Sequence, residues 1–146
     1  MGSRRKRGPV ATVGLAGLLA CRHPGGELPT AAEMRQIEAQ ANVRFPTTVR
    51  VRAWHEERGI DAYFEIKFEL PAPDWPTFLS SSPFRAVALD AKHRGDLGPD
   101  HGDWDPSKPP GLVAAQVELP GAKYVTLGVD AARRDVIVAY LVYFTT

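Results

Sequence analysis

Cysteine is almost absent from this chain, whose 146 residues contain one, Cys21. A single thiol excludes an internal disulfide, so the fold has to hold by packing and hydrogen bonds. An excess of charge of one sign is missing as well. The formal net charge is +1, and four of the 18 basic residues, Arg4, Arg5, Lys6 and Arg7, crowd the first few positions. Setting those four aside leaves 14 basic against 17 acidic residues, a net charge of about −3, which gives no support to a nucleic-acid-binding surface. A long hydrophobic run is also lacking. The longest apolar stretch, Val10 to Ala20, falls well below the ~20 residues that span a bilayer as a helix. No glycine-rich phosphate loop, no Gly-x-Ser-x-Gly elbow and no paired histidines at helical i,i+4 spacing occur, and these gaps remove the commonest sequence signs of an enzyme. Length and a hydrophobic content of 44% support one compact domain and not two.

What is present begins with the order of the first 21 residues. A basic cluster followed by a short apolar stretch has the layout of a cleaved export signal. The stretch ends Leu18-Leu19-Ala20-Cys21, which resembles the lipobox of bacterial lipoproteins: a branched apolar residue at −3, a small one at −1 and cysteine at +1. The resemblance covers residues 1–21 and implies that Cys21 takes a lipid and becomes the new N-terminus. It places the remaining chain outside the cytoplasm, in the bacterial cell envelope, with the membrane as its partner through the anchor. Two or more acyl chains hold a protein on a bilayer where one would be marginal. The competing reading of Cys21 is a small buried thiol at the end of an apolar helix. A twin-arginine signal at Arg4-Arg5 fits less well, because Lys6 and Arg7 stand where apolar residues belong. Residues 21–28, with His23-Pro24-Gly25-Gly26, have no periodicity and read as a tether.

Residues 29–146 read as a single α+β domain. Thr30-Ala-Ala-Glu33 has the form of a capping box, with Met34, Ile37 and Ala41 on one helical face, so a helix is expected from Pro29 or Thr30 to Asn42. From Thr47 the period becomes two, which predicts Val49, Val51 and Ala53 on one side and Arg50, Arg52 and Trp54 on the other. A second alternating run sets Phe64, Ile66, Phe68 and Leu70 against Tyr63, Glu65, Lys67 and Glu69. The two runs should form an antiparallel hairpin with Gly59 at positive φ in its connection, and with Arg50 and Arg52 beside Glu65 and Glu69 as a solvated charge set. Asp74 and Pro76 signal a short second helix that carries Trp75, Phe78 and Leu79 and stops at Ser80-Ser81-Ser82-Pro83. Arg85 to Ala91 is open between a short strand and extended coil. Residues 93–111 form a long irregular loop. Beyond it Leu112–Leu119, Lys123–Val129 and Val136–Phe144 predict a three-stranded meander. The last strand is apolar on both faces and therefore suited to the centre of the sheet. The expected architecture is an antiparallel sheet of about five strands, hairpin plus meander, with one or two helices on one face.

The loop holds the densest set of chemically active side chains: Asp90, His93, Asp96, Asp100, His101, Asp103 and Asp105. Oxygen ligands suit calcium and a mixed set suits zinc, so His93, Asp96, His101 and Asp103 are candidate ligands for a divalent metal, either merely bound or serving a metal-dependent hydrolase. Their spacing matches no named site, and aspartate beside glycine and proline is also ordinary turn chemistry. His55-Glu56-Glu57 invites an acid/base role, but at a strand end a structural or partly exposed imidazole is the plainer expectation. Trp75 reads as core, and Trp104 reads as a plug that pins the loop to the domain. With no catalytic constellation, no resident cofactor and the one thiol assigned to lipid, the leading expectation is a non-enzymatic binding or structural interaction domain on a lipid anchor, its ligand or protein partner unspecified.

Overall fold

The computed structural model describes residues 27–146. The expected signal, Cys21 and the tether up to residue 26 lie outside the described residues.

Helix α1 spans Ala31–Ala41 and starts as its sequence predicts. Thr30 Oγ1 accepts the Glu33 N–H at 3.2 Å while Glu33 Oε2 accepts the Thr30 N–H at 2.7 Å, which satisfies two donors that a helix start otherwise leaves bare. Asn42 closes the helix in the left-handed conformation, φ 54, and Ile37 and Ala41 are buried. The chain then passes through Val43 and Phe45 into strand β1, Arg50–Arg58, and on to strand β2, Ala62–Pro71. The turn between them is only Gly59 to Asp61. Gly59 is not among the positive-φ glycines, so the sharp reversal needs no left-handed residue there, contrary to expectation.

A three-residue 3₁₀ turn, Ala72–Asp74, leads directly into helix α2, Trp75–Ser80. Asp74 does not cap α2 with its side chain as its sequence predicts: its backbone is already right-handed and its carboxylate instead accepts the Thr48 hydroxyl at 2.5 Å. The helix ends on its three serines, since Ser80, Ser81 and Ser82 each donate to the carbonyl three residues back. Arg85 to Ala91 is not a strand. Only Asp90 pairs, with Ala114, at the sheet edge.

Strands β3 (Val113–Leu119), β4 (Lys123–Asp130) and β5 (Val136–Thr145) form the predicted meander. β2 joins it by pairing with β5, so all five strands lie antiparallel in the order β1-β2-β5-β4-β3, an α+β fold with the most apolar strand at the centre. One face of the sheet carries Phe64, Ile66, Phe68, Leu70, Val125, Leu127, Ala139 and Leu141, packed against Ile37 and Ala41 of α1 and Phe78 of α2. The other face is covered by the loop. Leu97, Trp104 and Leu112 seat there on Ala114, Tyr140 and Val142. No described helix is long and apolar enough to cross a membrane.

The alternation expected for β1 fails at one point. Val51 pairs with Phe68 and Ala53 with Lys67, so Arg52 is an extra residue, a β-bulge, and every later side chain of β1 changes face. Trp54 therefore packs on Phe64 on the helix side, with ring centroids 5.8 Å apart. Ala53 and His55 turn toward the loop instead.

Candidate functional site

The bulge and the loop together build the polar face of the sheet. β2 sets Tyr63, Glu65, Lys67 and Glu69 in a line on this face, and β5 places Phe144, Val142, Tyr140 and Val138 beside them in the same order. Across β1 the bulge brings His55 opposite Glu65.

Glu65 is 3% exposed, which would be costly for a carboxylate without partners. It has two. Tyr63 Oη donates to Oε1, and His101 Nε2 lies 2.6 Å from Oε2. The His101 side chain is itself 48% exposed, and its ring stands edge-on to His55 at 5.7 Å. His55 in turn lies 3.4 Å from Glu57 Oε1. Burial raises the Tyr63 phenol well above its ordinary range, and the Glu65 carboxylate adds to the effect, so Tyr63 stays a donor.

One residue pair further along the sheet, Lys67 Nζ donates to Asp105 Oδ1 at 2.6 Å and to the Asp103 carbonyl at 3.1 Å, with Nζ 5.3 Å from the centre of the Tyr140 ring. Tyr140 Oη also donates to Asp105 Oδ1, at 2.9 Å. Burial alone raises the Asp105 carboxyl, and the bonds from Lys67 and Tyr140 together outweigh it, so its pKa lies below that of a free aspartate. Tyr140 moves the other way, raised first by burial and then by Asp105. At the next step Arg52, the bulge residue, meets Glu69 at 2.6 Å. Between these groups opens a cleft of about 540 Å³, lined by Arg52, Lys67, Glu69, Asp103, Asp130 and Tyr140. The expected solvated set of Arg50 and Arg52 with Glu65 and Glu69 is thus half right. Arg52 pairs with Glu69, while Glu65 is buried beneath the loop.

The loop is braced within itself. Arg94 donates to the carbonyls of Pro106, Ser107 and Pro110, and Asp100 accepts from the amide and hydroxyl of Ser107. Trp104 is 2% exposed, donates Nε1–H to the Leu97 carbonyl at 3.1 Å and meets Tyr140 edge-on, so it pins the loop as expected. Trp75 also packs against the core, beside Phe78.

The four candidate metal ligands are not brought together. His93 Nδ1 lies 2.8 Å from Asp96 Oδ2, a mutual pair on the loop's outer surface. His101 turns inward to Glu65, and Asp103 offers Lys67 its backbone carbonyl. Among the described residues no group of three or more His, Cys, Asp or Glu side chains is placed to hold a metal ion. Of the side chains that do organise this face, Tyr63, Glu65 and Lys67 carried only the signal of lying on the polar side of β2, and Tyr140, on a strand apolar on both faces, carried none. Cys21 lies outside the described residues. No family model matches this chain, and no curated protein or solved structure matches it either.

Proposed function

We propose that this protein is an envelope lipoprotein, exported by residues 1–20 and held to a membrane through a lipid on Cys21, whose α+β domain works as a non-enzymatic binding or structural interaction module. The anchor rests on the order of basic cluster, short apolar run and Leu18-Leu19-Ala20-Cys21. The non-catalytic reading rests on one observation. The charged groups between sheet and loop are matched to one another: Glu65 with Tyr63 and His101, Asp105 with Lys67 and Tyr140, Glu69 with Arg52. Engaged in this way they fasten the loop as a cover over the sheet, which is the structural role this reading assigns to them. The domain then offers partners its outer surface and the open cleft beside Arg52 and Lys67.

Expression of the wild-type chain and Cys21→Ala in a bacterial host, followed by membrane fractionation, tests the anchor. Wild type is expected in the detergent-extracted membrane fraction and the variant in the soluble or unprocessed fraction. Identical fractionation of the two would contradict the anchor.

A further inference from the structure

The two edges of the sheet are built differently. β1 carries the bulge at Arg52 and exposes Arg50, Arg52, His55, Glu57 and Arg58, features that keep an edge strand from pairing with another chain. β3, Val-Ala-Ala-Gln-Val-Glu-Leu, has no bulge, no proline, no lysine and a single charge, Glu118.

The outer side of β3 is partly used already. Ala114 N–H donates to the Asp90 carbonyl at 2.7 Å and the Ala114 carbonyl accepts the Asp90 N–H at 3.0 Å, so the backbone groups of Ala114 point away from β4. In an antiparallel ladder this direction alternates, and the N–H and C=O of Gln116 and Glu118 therefore point outward too. Among the described residues no strand pairs with them.

We infer that this edge pairs with the same edge of a second copy, β3 against β3 about a two-fold axis through Val117. One register fits. Gln116 faces Glu118 of the second copy, and Glu118 faces its Gln116. All four outward donors and acceptors on each strand are then used, and no like charges stand opposite one another. Pairing ends where it must, because Asp90 already occupies Ala114 and Pro120 has no N–H to offer. On the helix side Val117 meets Val117 of the second copy and Leu119 faces its Ala115, so residues at the margin of the core continue the apolar layer across the junction. Two copies confined to one membrane would meet at a raised effective concentration, so a contact this short suits a tethered protein. The inference itself does not depend on the anchor.

Cysteine cross-linking tests it in the full-length chain carrying Cys21→Ser, which has no other thiol. With the axis at Val117 the two Val117 Cα atoms form a non-hydrogen-bonded pair about 4.5 Å apart, a separation a disulfide can bridge. Val117→Cys is expected to give a disulfide-linked species of twice the chain mass under mild oxidation, while Glu118→Cys, offset from its own copy, gives at least tenfold less. Adding Gln116→Pro, which removes an outward N–H at a place where an edge strand tolerates proline, is expected to suppress the Val117→Cys dimer. The Val117→Cys result stands alone if the proline variant fails to fold. Monomer only at Val117→Cys, equal cross-linking at both positions, or capture of Val117→Cys by a different protein in the host would overturn the inference.

Discussion

His101 Nε2 and Glu65 Oε2 stand 2.6 Å apart although 36 residues separate them in the chain. One lies in the loop, just beyond its 3₁₀ turn at Arg94–Leu97, and the other in the second strand, so this bond fixes where the loop crosses the sheet. It also leaves a buried carboxylate dependent on a side chain that is half in solvent.

Removing that side chain should loosen the cover before it unfolds the domain. His101→Ala leaves Glu65 with Tyr63 alone, an under-satisfied buried acceptor worth about 1–3 kcal/mol. Hydrogen exchange is expected to quicken at the amides of His101 and Trp104, which bond to each other's carbonyls. His93→Ala breaks only the outer pair with Asp96 and should change stability by less than about 0.5 kcal/mol. Equal effects of the two variants would contradict the latch.

Gly128 marks where the loop rests on β4. A Cβ there would lie 2.5 Å from Leu97 Cδ1, and Leu97 is fully buried. Alanine in place of glycine inside a strand ordinarily stabilises by about 0.5–1 kcal/mol. Here Gly128→Ala is expected to destabilise by about 1–3 kcal/mol by displacing Leu97. Pairing it with Leu97→Ala should relieve the clash, giving a non-additive cycle in urea unfolding.

The acid and alkaline limits of stability follow from the two networks. Asp105 has a folded pKa below its unfolded value, so its contribution is present above about pH 4 and is lost as pH falls through the folded value. Tyr63 and Tyr140 have folded pKa values raised mainly by burial. Their contribution is complete below about pH 10 and fades as pH rises toward the folded values. Absorbance at the phenolate band should therefore show Tyr63 and Tyr140 ionising later than free tyrosine, with Tyr140→Phe removing one late step. Lys67→Met is expected to make acid unfolding less steep, because Asp105 then loses the cation that lowers it. Normal tyrosine titration in the folded protein would contradict the networks.

Metal addition separates the folded loop from the chelating cluster that its sequence suggests. With His93 and Asp96 paired outside and His101 turned inward, excess calcium or zinc is expected to leave Tm unchanged. A rise in Tm that His101→Ala or Asp103→Asn abolishes would restore the metal reading.

Much of the architecture was legible because it is local. The capping box at Thr30 and Glu33, the period of two in β2 and the doubly apolar β5 each state their own element and, for β5, its place in the sheet. The bulge at Arg52 was not legible, since an extra residue in a strand has no composition of its own. Without it the alternation sets Ala53 with Val51 and Trp54 with Arg50, the faces opposite to those they occupy. The site was hidden for a related reason. Periodicity says which face Glu65 and Lys67 occupy, but not that His101 and Asp105 of a loop come down on that face. Trp104 was the exception, since a large apolar ring in a polar loop has few other places to go.

Mass spectrometry of the protein recovered from membranes of its native host reads the lipid anchor directly. A chain beginning at Cys21 is expected, heavier than its sequence by a diacylglyceryl group and any further acyl chain. Recovery of an unmodified Cys21 still preceded by residues 1–20 would contradict it.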